Sequence, residues 1–133
     1  MGVEHALYGE IRIEPPLAAD EVAGFAVSFP EGKFRDLMLV MGKSYLETGL
    51  DTFELSGAIS IVPNQDTYNG RYALYELQAI FQACPNHEYT GFIECHLEAG
   101  TQDLGEPTVE RYICRDGEVV IIQPKLTWPE DAR

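Results

Sequence analysis

The stretch GAISIVPNQDTYNGRYALYELQAIFQAC, residues 57–84, changes its hydrophobic period once, and that change decides how the chain is read. Its first part alternates within a strand over residues 52–62, with Ile59 and Ile61 expected inward and Ser60 outward. Pro63-Asn64-Gln65-Asp66 breaks the alternation. Over residues 70–84 the apolar positions Ala73, Leu74, Leu77, Ile80, Phe81 and Cys84 then recur at helical spacing, which predicts an amphipathic helix. Pro85-Asn86 stops it, and Asn69 or Asp66 is placed to cap its start.

On the N-terminal side, residues 8–14 alternate, with Gly9, Ile11 and Ile13 on one face and Glu10, Arg12 and Glu14 on the other. Pro15-Pro16 is expected to end this strand, because neither proline donates to a ladder. A short helix over residues 19–25 follows, with Asp20 and Glu21 in its first turn, where the helix dipole favours acids. Residues 28–35 read as a loop carrying Lys33 and Arg35, and residues 36–41 (DLMLVM) as a buried strand. Gly49 and Asp51 mark a turn that joins it to the strand of residues 52–62 as a hairpin.

On the C-terminal side, residues 89–98 alternate again, with Gly91, Ile93, Cys95 and Leu97 on one face and Thr90, Phe92, Glu94, His96 and Glu98 on the other. An acidic loop over residues 99–107 leads to two strands, 109–115 and 118–123, about Asp116-Gly117, a strong hairpin signal. Residues 124–133 form a polar tail whose Trp128 is expected to fold back onto the body.

The predicted order is strand, helix, strand, strand, helix, strand, hairpin. That is an α+β chain with the ferredoxin-like β-α-β-β-α-β order and a C-terminal β-hairpin extension. An antiparallel sheet with two helices on one face leaves its other face open, and Glu10, Arg12, Glu14, Ser60, Glu94, His96 and Glu98 are expected there. GEIRIEP (9–15) and GAISIVP (57–63) echo each other as the openings of the two halves of this unit.

A chain of 133 residues with 45% hydrophobic residues is long enough for one domain, residues 1–133, with one core. No run approaches the length of a membrane span and no leader pattern opens the chain, so a cytoplasmic protein without membrane association is expected. Cys84, Cys95 and Cys114 form no C-x-x-C pair and read as small buried thiols.

Charge is regional. Between residues 44 and 110 eleven acids stand against one cation, Arg71, within a chain of net charge −13. Such a field disfavours direct nucleic-acid binding and favours a basic protein partner. The candidate contact residues are the acids Glu94, Glu98, Asp103, Glu106 and Glu110, with Tyr72 and Tyr75 as aromatic anchors. The reading is a non-catalytic protein-binding module without a cofactor. A phage-related inhibitor or nucleic-acid mimic acting on a basic host protein is one form of it, and a homodimer covering the open face another.

The alternative is a metal-dependent or small-molecule enzyme centred on Glu94, His96 and Glu98. Alternate strand positions set these side chains in a row, so His5, His87 or Glu10 would have to converge on them to complete a metal site. No nucleophile elbow or phosphate-binding loop motif is present to suggest another reaction.

Three segments, GEIRIEPPL (9–17), HEYTGFIE (87–94) and RDGEVVIIQPKLTWPE (115–130), resemble an uncharacterised family of small acidic proteins from actinobacteria and their phages. The departure is Glu130, where that family more often carries Asp, and residues 28–51 do not align with it. The family has no assigned activity, so the resemblance implies one non-secreted domain of phage-related origin and carries over no site residue.

Overall fold

The computed structural model describes residues 5–26, 34–64, 72–97 and 108–124. The elements are β1 (His5–Leu17), α1 (Ala19–Ala26), β2 (Leu37–Thr48), β3 (Asp51–Pro63), α2 (Ala73–Ala83), β4 (Glu88–Leu97), β5 (Thr108–Arg115) and β6 (Glu118–Ile122). The strands form one six-stranded sheet in the order β2-β3-β1-β4-β5-β6, with every neighbouring pair antiparallel.

The α+β class and the element order follow the sequence reading, but the ferredoxin-like expectation is corrected. A ferredoxin-like sheet has four strands and leaves β4 on an edge. Here β4 is interior, because the terminal hairpin continues the sheet through β5 instead of hanging from it. The Val119 N–H donates to Gln78 Oε1 at 2.8 Å, so α2 is also tied to β6. The hairpin turn is as expected, with Asp116 and Gly117 both at positive φ.

The helical period of residues 70–84 becomes α2, which buries Ala73, Leu77, Ile80 and Phe81 against Ile11, Ile13, Ala58, Ile61, Ile93, Cys95 and Tyr112 of the sheet. Burying a large apolar side chain contributes about 1.5–3 kcal/mol each, and this single stripe holds the helix layer to the strands. Asp66 and Asn69, the expected caps, lie outside the described residues. The N-cap position is Tyr72, whose side chain makes no cap bond; its backbone N–H is taken instead by Asp36 Oδ2, from the start of β2.

Two further boundaries differ from the sequence reading. β1 runs through Pro15 and Pro16 to Leu17, with a cis Glu14-Pro15 bond. Its ladder to β4 ends at Glu14 opposite Glu88, and its ladder to β3 is interrupted between Arg12 and Leu17, so no neighbour requires the missing N–H groups. In β3 the simple alternation also fails. The register to β2 shifts between Val40, opposite Ser60, and Met41, opposite Ala58, leaving Ile59 as an extra residue. Ala58 therefore enters the core, Ile59 is half-buried, and Ser60 is buried, not outward-facing on an exposed surface as expected.

The largest difference is the length of the β2–β3 hairpin. β2 was expected to end at residue 41, yet it continues to Thr48 and returns after a two-residue loop with Gly49 at φ +63. β1 pairs with β3 no further out than Ala58 and Gly57 is still buried against Leu17, so residues 43–56 form a two-stranded arm extending about 20 Å beyond the body at strand rise. No residue of the arm's β2 half is buried, which is why burial periodicity did not reveal it.

Candidate functional site

The face of the sheet away from the helices is built by register. Ala6 stands opposite His96, Tyr8 opposite Glu94 and Glu10 opposite Phe92 across β1 and β4. Glu94 stands opposite Arg111 across β4 and β5, and Arg111 opposite Ile122 across β5 and β6. Two glycines lie where β1 and β4 pass each other. A Cβ on Gly9 would lie 2.4 Å from the Phe92 carbonyl oxygen, and one on Gly91 would lie 2.4 Å from that of Glu10, with φ values of +104 and +102. Only glycine fits both positions.

Glu94 is the centre of this face. Its Oε2 lies 2.7 Å from His96 Nε2, and its Oε1 accepts from Arg111 Nε at 2.8 Å. Bonding to His96 first, and then to Arg111, holds its carboxyl below the usual carboxylate range. The Arg111 guanidinium also lies 4.2 Å from the centre of the Phe92 ring, and Tyr8 meets His96 edge-on at 4.9 Å. A shallow groove of about 220 Å³ runs beside them, lined by Glu94, Val109, Arg111, Ile122, Gln123 and Pro124.

Among the described residues the sequence-predicted contacts do not share one face. Glu94 faces away from the helices and is bonded by both His96 and Arg111. Glu110 stands opposite Cys95, a core residue, so it lies on the other face of the sheet, where Gln123 Nε2 donates to it at 3.3 Å. Tyr72 and Tyr75 are exposed on α2, also on the helix side; the Arg35 guanidinium lies 4.9 Å from the centre of the Tyr72 ring. Glu98, Asp103 and Glu106 lie outside the described residues, as do Lys33 and Trp128.

For the metal alternative, Glu94 and His96 are neighbours on the face, but they bond to each other instead of converging on a common point. His87 is engaged elsewhere, with Nδ1 2.6 Å from the Pro15 carbonyl oxygen and Nε2 2.8 Å from Glu21 Oε2. Among the described residues no group of three or more His, Cys, Asp or Glu side chains is arranged to hold a metal ion.

Two buried carboxylates escaped the sequence reading. Glu76 is 2% exposed and accepts from the backbone N–H groups of Arg35, Asp36 and Leu37 at 2.9, 3.0 and 3.1 Å. Asp36 in turn accepts from Tyr72 N–H, so each acid satisfies the exposed backbone end of the other's element. This reciprocal pair is structural: it docks the start of α2 onto the start of β2. A Glu at a position between Ala73 and Leu77 on the buried side of the helical wheel was the available signal.

The arm also escaped it. Tyr45 is 65% exposed, Leu46 51%, Phe53 52% and Leu50 fully exposed, with Glu47, Asp51 and Glu54 among them. Lys43 Nζ and Glu54 Oε1 form a 3.0 Å ion pair across the two strands.

These features define an α+β protein with one antiparallel sheet, helices over its core-bearing face and a projecting hairpin. The chain belongs to the family of unknown function DUF6205, whose model matches residues 1–133. No curated protein and no solved structure matches it.

Proposed function

We propose that this chain is a non-catalytic protein-binding module for a basic partner, and that the β2–β3 arm is its principal contact element. The observation that carries the reading is the arm's surface: register sets exposed Leu46 and Phe53 with Asp51 on one face, and exposed Tyr45 with Glu47 and Glu54 on the other. Each face thus sets apolar or aromatic side chains beside acids, which suits a partner whose apolar groove has a basic rim. This moves the contact from Glu94, whose carboxylate is bonded by Arg111 and His96, to acids that project from the body. An inhibitor of phage-related origin, occupying the nucleic-acid-binding surface of a host protein, would use such an arm. We place the interaction in the cytoplasm, where the free thiols of Cys84, Cys95 and Cys114 stay reduced.

The test is capture from host lysate at low ionic strength, followed by a salt gradient. Steered binding weakens steeply with salt, since the Debye length falls from about 10 Å at 0.1 M to about 3 Å at 1 M. A basic protein should elute early in the gradient, and a Glu47→Gln/Asp51→Asn variant should fail to retain it. Retention that survives both high salt and these substitutions refutes the reading.

A further inference from the structure

We propose that two copies of this chain associate through the outer edge of β2, pairing antiparallel about Tyr45 so that the two sheets continue into one. Among the described residues β2 is one edge of the sheet and β3 is its only hydrogen-bonded neighbour. Among the described residues its outer edge beyond Leu37, whose N–H is taken by Glu76, is therefore unpaired, a template for another strand. The usual devices that blunt such an edge are sparse: β2 carries no proline, and it is not short. A two-stranded ribbon with no further support is marginal in water, so the arm gains most from a third and fourth strand.

The sequence of β2 selects both the partner and the register. A two-fold axis normal to the sheet can pass through residue 43, 44, 45, 46 or 47 of β2. Centring on Lys43 opposes two lysines, and centring on Glu47 opposes two glutamates. Centring on Ser44 or Leu46 leaves neither charge opposite a charge. Only the axis through Tyr45 sets Lys43 of each copy against Glu47 of the other, twice by symmetry, with the two Tyr45 rings as the central cross-strand pair.

The remaining geometry agrees. Residues 42–48 of each copy overlap, which is an ordinary strand length. The arm projects beyond β1, so the two bodies lie at opposite ends of the paired segment and do not compete for space. The tip of each arm reaches the root of the other, where the register sets the fully exposed Leu50 of one copy opposite Val40 of its mate. Pairing engages Tyr45 and Glu47 on one face of the arm and leaves Leu46, Phe53 and Asp51 on the other, so it goes beyond the partner-binding reading and does not depend on it.

Sedimentation equilibrium of the full chain at 0.15 M salt tests this. The wild-type protein should sediment as a dimer. Lys43→Glu and Glu47→Lys should each raise the dimer dissociation constant about tenfold or more, because both symmetric pairs turn from attractive to repulsive. The double variant K43E/E47K should restore dimerisation. Lys43 also pairs with Glu54 within the chain, and that bond is lost in the single Lys43 variant and the double alike. Recovery in the double variant therefore reports the contact between copies, and circular dichroism checks that each variant is folded. A wild-type monomer across the accessible concentrations overturns the proposal. So does a dimer that ignores the single substitutions, or a folded double variant that stays dissociated.

Discussion

Replacing Glu76 measures how far the fold depends on one buried carboxylate. The side chain is 2% exposed and accepts three backbone N–H bonds from residues 35–37, two of them at buried donors. Glu76→Ala leaves those two buried N–H groups without a partner, at roughly 1–3 kcal/mol each, so a loss of about 2–6 kcal/mol is expected. Against a typical total of about 5–15 kcal/mol this is a large fraction. In Glu76→Gln one oxygen still serves Asp36 and Leu37, but the amide NH2 replaces the oxygen facing Arg35 N–H and sets donor against donor. The expected loss is smaller, about 1–3 kcal/mol.

The pH dependence adds a second readout. Burial raises the Glu76 carboxyl above its ordinary value of 4.5, outweighing the three N–H groups that lower it. A carboxyl raised in the folded state contributes stability that is full below the unfolded value and declines as pH rises through the folded value. The wild-type advantage over Glu76→Gln should therefore narrow as pH climbs above about 4.5. Urea unfolding across pH 4 to 8 reads both effects, and thermal melting gives a Tm change of roughly 3–5 °C per kcal/mol for a chain of this size. A Glu76→Ala protein melting within about 2 °C of wild type would refute the reasoning, since unsatisfied buried donors cannot be that cheap.

Glu21 should act in the opposite sense. The Ala18 N–H, and with it His87, lowers its carboxyl below 4.5, so the stability it contributes is present above that value and lost as pH falls through the folded one. Glu21→Gln should flatten the acid limb of the stability profile, and an unchanged slope below pH 4.5 would count against the bonding seen here. The thiols give a simpler check. Burial pushes Cys84 up to about 11, and Cys95 is also buried, whereas Cys114 is half-buried. In native protein at pH 8 a disulfide reagent should react first with Cys114, and with all three only after unfolding; rapid native labelling of Cys84 would contradict the packing.

Much of the face chemistry was legible from alternation alone. Ile11 and Ile13 lie inside and Glu10, Arg12 and Glu14 on the other side of β1; Ile93 and Cys95 oppose Glu94 and His96 on β4. Those assignments need only a two-residue period. The grouping of Glu94 with Glu110 and with Tyr72 and Tyr75 failed to assemble because it needed more. Proximity in an acidic stretch of sequence says nothing about which side of a sheet each residue takes, and β5 enters the sheet with Glu110 on the core-bearing face.

Local patterning by itself determined the α+β class, the amphipathic stripe of α2, the Asp116-Gly117 hairpin and the burial of Cys84 and Cys95. These are properties of segments, set by period and turn chemistry. Tertiary structure alone decided the sheet order, the Ile59 bulge, the Asp36–Glu76 exchange and the projection of the β2–β3 arm. Each depends on a neighbour distant in sequence: a strand pairs, bulges or runs on according to what lies beside it. The arm is the clearest case, since residues 42–48 are held in a strand by β3 and have no buried face for their sequence to announce.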